Sequence, residues 1–244
     1  MIVTFTPNPS LDRAITIPQL RRGEVIRATS SRVDPGGKGV NVARALAAQG
    51  ADTIAVLPSG GAEGRMMEEL LRAAGVTAVT TPVAGSLRMN ISVLEPDGTT
   101  TKLNEPGPEL DDETVARLLA TTFDASSPGS WVVGCGSLPP GASTHLYATL
   151  TRSAHAAGLK VAIDSSGEPM VHAVAARPDL IKPNHEELEE LVGDGLDTLG
   201  EVVDAARRLN ADGIGTVAVS LGSEGAVLVT SPSPAEAYGR GPPE

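Results

Sequence analysis

The sequence predicts an α/β fold of three layers, with a mainly parallel central sheet between helices and a small additional sheet that forms a lid. One observation is the alternation of short β-prone runs with segments of helical spacing along most of the 244 residues. A second is that two regions, 14–33 and 87–104, alternate apolar and polar residues as a half-exposed sheet does. In such βαβ folds, ligands collect at the carboxyl ends of the strands.

The elements of the central layer follow the chain in order. Strands are predicted over 2–5, 53–57, 131–133, 160–163, 180–181 and 216–220. Helices are predicted over 40–49, 65–74, 112–122, 144–157, 186–192 and 200–209. Gly50 and Gly75 end the first two helices, and Asp111 is a suitable cap for the third.

The lid sheet is predicted from strands within 10–35 and 87–105. Segments 14–17 and 25–33 form its first half, and the turn Pro96-Asp97-Gly98 joins 87–94 to 99–104 as a hairpin. An exposed, half-apolar sheet is best covered by the same sheet of a second subunit. The sequence therefore predicts a homodimer that forms through the lid.

Composition excludes several classes of function. The formal net charge of −11 and an aromatic content of 2% disfavour nucleic-acid binding. No window approaches the roughly 20 apolar residues of a membrane-spanning helix. The single cysteine, Cys135, and the lack of an export-like N-terminal pattern predict a cytoplasmic protein without disulfides.

The strongest local motif is Asp34-Pro35-Gly36-Gly37-Lys38-Gly39-Val40-Asn41. Glycines before a helix let backbone N–H groups approach an anionic ligand, and Lys38 and Asn41 share one helical face. The alternative is a glycine turn that enters a helix beside a solvated lysine. The spacing is not that of a Walker A motif.

This motif and the segment Asn-Pro-Ser-Leu-Asp at 8–12 resemble the opening of the phosphofructokinase B family of ribokinase-like sugar kinases. The branch that fits best contains 1-phosphofructokinase, the minor 6-phosphofructokinase and tagatose-6-phosphate kinase. Further matches follow in family order at 103–108, 136–141, 164–167, 182–187 and 220–225. The resemblance implies a ribokinase-like fold, ATP and Mg²⁺ as cofactors, and a sugar phosphate as substrate.

The resemblance also implies which residues bind the sugar phosphate. They are Asp12, Arg27, Gly36, Gly37, Lys38, Asn41, Arg88 and Ser137. Asp12 would accept hydrogen bonds from sugar hydroxyls and Arg88 would hold the phosphate. Without the family, Asp12 reads equally well as a turn-stabilising residue, Arg88 as a solvated arginine at an edge strand, and Ser137 as a turn residue.

On the nucleotide side, the resemblance implies six residues. They are Lys182, Asn184, Glu187, Ser220, Gly222 and Gly225. Glu187 would hold Mg²⁺ through water, because Mg²⁺ keeps much of its hydration shell. The alternatives are that Asn184 and Glu187 form a helix capping box and that Gly222 and Gly225 belong to a β-hairpin.

The sequence departs from the family in one respect. No Gly-Ala-Gly-Asp segment is present, although the family uses it for an anion hole and a catalytic base, so no catalytic residue is assigned. Residues 230–244 are rich in proline. We therefore expect one ribokinase-like domain over 1–244 that is incomplete at its C-terminal end.

Two functional hypotheses follow. The first is ATP-dependent phosphorylation of a ketohexose monophosphate, with fructose 1-phosphate preferred over fructose 6-phosphate and tagatose 6-phosphate. The second is a catalytically impaired fragment that binds sugar phosphate or nucleotide.

Overall fold

The computed structural model describes residues 1–231, which form two β-sheets and seven α-helices. The strands are β1 (Ile2–Phe5), β2 (Ser10–Thr16), β3 (Ser30–Gly36), β4 (Thr53–Ser59), β5 (Thr77–Pro82), β6 (Arg88–Leu94), β7 (Thr100–Asn104), β8 (Trp131–Cys135), β9 (Lys160–Asp164), β10 (Leu180–Ile181), β11 (Thr216–Ser220) and β12 (Ala226–Thr230). The helices are α1 (Lys38–Ala48), α2 (Gly61–Ala73), α3 (Asp112–Asp124), α4 (Leu146–Ala156), α5 (Gly167–Ala175), α6 (His185–Val192) and α7 (Leu199–Ala211).

The main sheet has eight strands in the order β12-β11-β10-β9-β8-β1-β4-β5. Neighbouring strands are parallel except at the edge, where β12 pairs antiparallel with β11. The predicted fold class, with a mainly parallel central sheet and a small β lid, is therefore confirmed. No helix within residues 1–231 is both long and apolar enough to span a bilayer.

Helices cover the two faces of the main sheet unevenly. On one face, α1 and α2 enclose a small core that includes Leu57 and Met67. On the other, Val3, Phe5 and Val217 pack with side chains from α3 to α7 in a larger core. Helices therefore cover one face along most of the sheet and the other face mainly at the β1, β4 and β5 end.

The lid sheet has the order β3-β2-β6-β7. Asp12 on β2 is paired with Asn90 on β6, and Ile91 on β6 is paired with Leu103 on β7. Because successive side chains of a strand point to opposite faces, Asp12 and Asn90 lie on one face of the lid while Ile91 and Leu103 lie on the other. The lid thus has a polar face and an apolar face.

Several boundaries differ from the sequence prediction. The lid strands are β2 and β3 rather than 14–17 and 25–33, so residues 25–29 are not strand and Asp12 lies on a strand. The sequence also fails to predict β5 and α5. Helix α5 begins Gly167-Glu168-Pro169, which reads as a turn, yet proline is tolerated in a first helical turn because its missing N–H would have no helical partner there.

Candidate active site

The predicted site residues surround the carboxyl ends of β1, β8 and β9, which are neighbours in the main sheet. The loop 6–9 follows β1 and leads directly into the lid, while Gly136 and Ser137 follow β8. The backbone N–H of Gly136 donates to the carbonyl of Asp164 at the end of β9 (2.8 Å). Adjacent strand ends and the lid therefore converge at one edge of the sheet, as the sequence predicts for this fold class.

The two glycines before α1 allow a close approach that larger residues would block. Gly37 has φ of 102°, a left-handed conformation that favours glycine, and it precedes the first residue of α1. A Cβ at Gly36 would collide with the carboxylate of Asp12. The turn therefore brings Lys38 and Asp12 to the same region.

Asp12 lies on β2, so the alternative of a turn-stabilising aspartate does not hold. Its Oδ1 accepts hydrogen bonds from the hydroxyl of Ser10 (2.8 Å) and from Nδ2 of Asn90 (3.1 Å). Asp12 and Asn41 also line one cavity of about 400 Å³. The carboxylate is thus held in place by neutral donors and remains available to accept further hydrogen bonds.

Arg88 is half-buried at the start of β6, an inner strand of the lid, so it is not a solvated arginine at a sheet edge. Its Nη2 donates to the carbonyl of Asn8 (2.9 Å) and its Nη1 to that of Glu105 (3.4 Å). Burial lowers the pKa of Arg88, and the nearby charge of Asp12 opposes that shift. Within residues 1–231 no carboxylate forms a salt bridge with Arg88, so its charge is available for an anion.

A cluster of four charges joins the two predicted halves of the site. The ammonium of Lys38 lies 2.8 Å from Oδ1 of Asp164 and 3.4 Å from Oε1 of Glu187. Lys182 lies 3.2 Å from the other carboxylate oxygen of Asp164. Burial alone lowers the pKa of Lys38, but the two carboxylates outweigh it and raise that pKa above 10.5. Lys38 is therefore charged and held between β9 and α6.

On the nucleotide side, Asn184 and Glu187 form the capping box that the sequence left open as an alternative. Asn184 Oδ1 accepts from the N–H of Glu187 (2.7 Å), and Glu187 Oε2 accepts from the N–H of Asn184 (2.9 Å). The box uses only one carboxylate oxygen of Glu187, since Oε1 faces Lys38. Capping and cation binding are thus compatible in this residue.

The loop that carries Gly222 and Gly225 joins β11 to β12 in a β-hairpin, the second alternative left open by the sequence. Both glycines are exposed and have positive φ, and Ser220 forms a bridge with Asn184. The start of this loop therefore lies beside the N-terminus of α6.

The structure brings most of the predicted residues together but not Arg27. Arg27 is exposed between β2 and β3, and no hydrogen bond or ion pair joins it to any other residue of the described chain. Conversely, sequence reasoning assigned no role to Asp164, which lies at the centre of the charge cluster. Its place in the family match at 164–167, directly after a predicted strand, was the available signal.

A sequence model of the protein family described as pfkB family carbohydrate kinase matches residues 8–240 of this chain. The chain belongs to the pfkB family. A 1-phosphofructokinase of Rhodobacter capsulatus is 38% identical over 230 residues, which cover 93% of this chain and 73% of that protein. A 1-phosphofructokinase of Xanthomonas campestris is 40% identical over 235 residues, with the same two coverages of 93% and 73%.

Members of the pfkB family named for a different activity match at similar levels. The ATP-dependent 6-phosphofructokinase isozyme 2 of Escherichia coli is 36% identical over 233 residues, or 94% of this chain and 75% of that protein. The crystal structure of phosphofructokinase-2 from Escherichia coli in complex with fructose-6-phosphate superposes with a TM-score of 0.90 at 34% identity, covering 95% of this chain and 77% of that one. This likeness supports the ribokinase-like fold that the sequence motifs predict.

Proposed function

We propose that this chain is a phosphofructokinase that transfers the γ-phosphoryl group of ATP to O6 of fructose 1-phosphate. The new bond joins O6 to the γ-phosphorus, the bond from that phosphorus to the β–γ bridging oxygen breaks, and the hydroxyl proton passes from O6 to water. The products are fructose 1,6-bisphosphate and ADP. The observation that carries the proposal is the contact of Lys38 with Asp164 and Glu187, because it joins the predicted sugar and nucleotide residues in one site.

The sugar phosphate would lie between the lid and the glycine turn. Asp12 and Asn41 would bind its hydroxyls, with Gly36 and Gly37 allowing the close approach. Arg88 and Ser137 would bind the existing phosphate, because a guanidinium takes two phosphate oxygens in a fixed geometry. Arg27 is a further predicted substrate residue, and its exposure suits a contact with ligand or with a second subunit.

ATP would lie along the loop after β11 and the N-terminus of α6. Lys182, Asn184, Ser220, Gly222 and Gly225 would line its path. The donor chemistry fits Mg²⁺, because Glu187 Oε1 and Asp164 Oδ1 already converge on one cation, the ammonium of Lys38. When bound, Mg²⁺ would neutralise charge on the transferring phosphates, with Glu187 holding it through water.

The preference for fructose 1-phosphate rests on the curated 1-phosphofructokinases, which match at up to 40% identity. Fructose 6-phosphate is the alternative, because the 6-phosphofructokinase isozyme 2 matches at 36%. Tagatose 6-phosphate is a further alternative of the same chemical class. Fructose 1-phosphate differs from the other two sugars in the carbon that carries the phosphate, and tagatose 6-phosphate differs from fructose 6-phosphate in its configuration at C4. A direct comparison of the three affinities therefore separates them.

A second candidate function is binding of both ligands with little or no turnover. The observation that favours it is that the residues brought together in the described site, among them Asp12, Lys38 and Arg88, have proposed binding roles and none has an assigned catalytic role. A catalytic base and an anion hole are worth several powers of ten in rate. Binding and turnover therefore need separate measurements.

We also propose a homodimer formed by the apolar face of the lid sheet and a cytoplasmic location. Leu103 on that face is 57% exposed, and a matching sheet would bury it. Cys135 is buried and free, which suits a reducing compartment. A phosphofructokinase-2 of Escherichia coli has been solved in a tetrameric inhibited form, so larger assemblies occur among the structural relatives.

Isothermal titration calorimetry tests ligand binding directly. We expect the wild-type chain to bind fructose 1-phosphate more tightly than fructose 6-phosphate or tagatose 6-phosphate, and to bind ATP in the presence of Mg²⁺. Lys38→Ala should weaken the binding of both the sugar phosphate and ATP by about tenfold or more, because the loss of a charged hydrogen-bond partner costs roughly 1.5–3 kcal/mol.

Lys160→Ala is the matched control, because Lys160 is an exposed lysine at the opposite, amino-terminal end of β9. It should change neither affinity by more than about twofold, as surface substitutions usually have small effects. Absence of any sugar-phosphate binding by the wild-type chain would reject the proposal.

A further inference from the structure

We propose that Asn8 is a positioning residue that holds Arg88 and Ser137 in the geometry that binds the substrate phosphate. The inference rests on the proposed function, because that function supplies the phosphate. Asn8 lies in the loop between β1 and the lid, flanked by Pro7 and Pro9. It is 4% exposed, so its polar atoms depend on protein partners.

The side-chain amide of Asn8 ties three separate segments of the chain together. Its Nδ2 lies within hydrogen-bond distance of the carbonyl of Pro106 (3.1 Å), the hydroxyl of Ser137 (3.4 Å) and the carbonyl of Leu138 (3.4 Å). These acceptors are 98 to 130 residues away in sequence. The amide thus joins the loop after β8 to the segment after β7.

The backbone of Asn8 completes the arrangement. Its carbonyl accepts a hydrogen bond from Nη2 of Arg88 (2.9 Å), and the only other acceptor of Arg88 within residues 1–231 is the carbonyl of Glu105 (3.4 Å). Glu105 immediately precedes Pro106, the residue that the Asn8 amide holds. Asn8 therefore fixes one acceptor of the guanidinium directly and the other through the adjacent peptide.

The orientation of the Asn8 side chain is also restricted from its other side. Its Oδ1 is buried and has no hydrogen-bond partner among the described residues. A Cβ at Gly107 would collide with this oxygen, and Gly107 has φ of 95°, so a glycine there leaves the amide its space. The side chain is therefore confined between Gly107 on one side and its three acceptors on the other.

Arg88 and Ser137 lie on separate segments, a lid strand and the loop after β8, and Asn8 contacts both, so it fixes their mutual geometry. Phosphate recognition by a guanidinium and a hydroxyl depends on the angle and distance between them. Loss of the Asn8 amide would free Ser137 and the 105–108 segment together. The phosphate affinity should then fall while the nucleotide residues stay unchanged.

The test compares Asn8→Ala with Asn210→Ala in the full chain. Asn210 is a matched control, because its Nδ2 also donates to backbone carbonyls, those of Ile214 (2.8 Å) and Gly215 (3.4 Å), and its Oδ1 is also buried without a partner. It lies in α7, outside the proposed binding residues. Calorimetry with fructose 1-phosphate and, separately, with ATP and Mg²⁺ gives the readout.

We expect Asn8→Ala to weaken fructose 1-phosphate binding at least tenfold and ATP binding by less than twofold. Asn210→Ala should leave both affinities within twofold of wild type while lowering the thermal midpoint. If Asn8→Ala fails to fold, Asn8→Ser, whose shorter side chain cannot span all three acceptors, carries the same expectation. Ser137→Ala should weaken binding in wild type but have little further effect beside Asn8→Ala.

Three outcomes would overturn the inference. They are equal affinities in the Asn8 and Asn210 variants, equal losses for both ligands in Asn8→Ala, and fully additive effects of the Asn8 and Ser137 substitutions. Failure of the proposed function is distinguishable, because the wild-type chain itself would then bind no fructose 1-phosphate.

Discussion

Individual side chains join the two halves of the site. Some of them could be predicted from the sequence and others could not. Asp12 and Arg88 were both predicted as site residues, and Arg88 was placed at the start of a predicted lid strand, but the strand that holds Asp12 was not predicted. Asn8 between two prolines reads as a turn former, and its partners lie about 100 or more residues away. Contacts at such separation depend on the fold, so local sequence cannot reveal them.

The buried thiol of Cys135 leads to a prediction about how reactivity and stability depend on pH. Burial, followed by the charge of Asp164, raises the pKa of its thiol from 9.0 to about 12. The native thiol should therefore stay neutral and react with a disulfide reagent at pH 8 only after denaturation. Because the unfolded thiol ionises near pH 9 while the folded one does not, this group should lower the free energy of unfolding between pH 9 and 12.

Cys135→Ala is the control for this prediction. It should give no thiol signal and should lose less stability than wild type between pH 8 and pH 10, both followed by urea unfolding. Rapid modification of the native wild-type thiol at pH 8 would contradict the prediction.

Among the elements, most helices, the inner strands of the main sheet and the lid hairpin β6–β7 were predicted closely, while the bounds of β2 and β3 were not, and β5 and α5 were missed. The main-sheet strands have continuous apolar runs, whereas β2 and β3 alternate only weakly and are separated by residues 17–29. The alignment of β2 is set by its parallel pairing with β6, a strand distant in sequence, and this pairing places Asp12 opposite Asn90. The segregation of polar and apolar side chains onto opposite lid faces is therefore visible only in the structure.

The apolar lid face predicts how the oligomeric state responds to substitution. Leu103→Glu places a charge on that face, and desolvating an unpaired charge at an interface is unfavourable, so we expect dissociation of the dimer to monomer. Light scattering coupled to size-exclusion chromatography measures the molecular mass. Thr100→Glu, an exposed β7 residue on the opposite face, is the control and should remain dimeric. A wild-type chain that is monomeric at micromolar concentration would contradict the prediction.

For the whole molecule, a net charge of −11 opposes anionic ligands, so local cations must attract them. Lys38, Lys182 and Arg88 occur at the edge of the sheet where the loops converge. The main sheet is less evenly covered than the predicted three layers imply. Leu228 on β12 is 66% exposed, and it belongs to neither hydrophobic core formed by residues 1–231.

The measurement that tests the central claim most directly is ADP release by purified protein with ATP, Mg²⁺ and each sugar phosphate. The account predicts turnover with fructose 1-phosphate, formation of fructose 1,6-bisphosphate, and a loss of turnover of at least about tenfold in Asp12→Ala, as expected for a lost charged hydrogen bond. Binding of fructose 1-phosphate without ADP release would favour the ligand-binding alternative. No release and no binding with any of the three sugars would contradict the account.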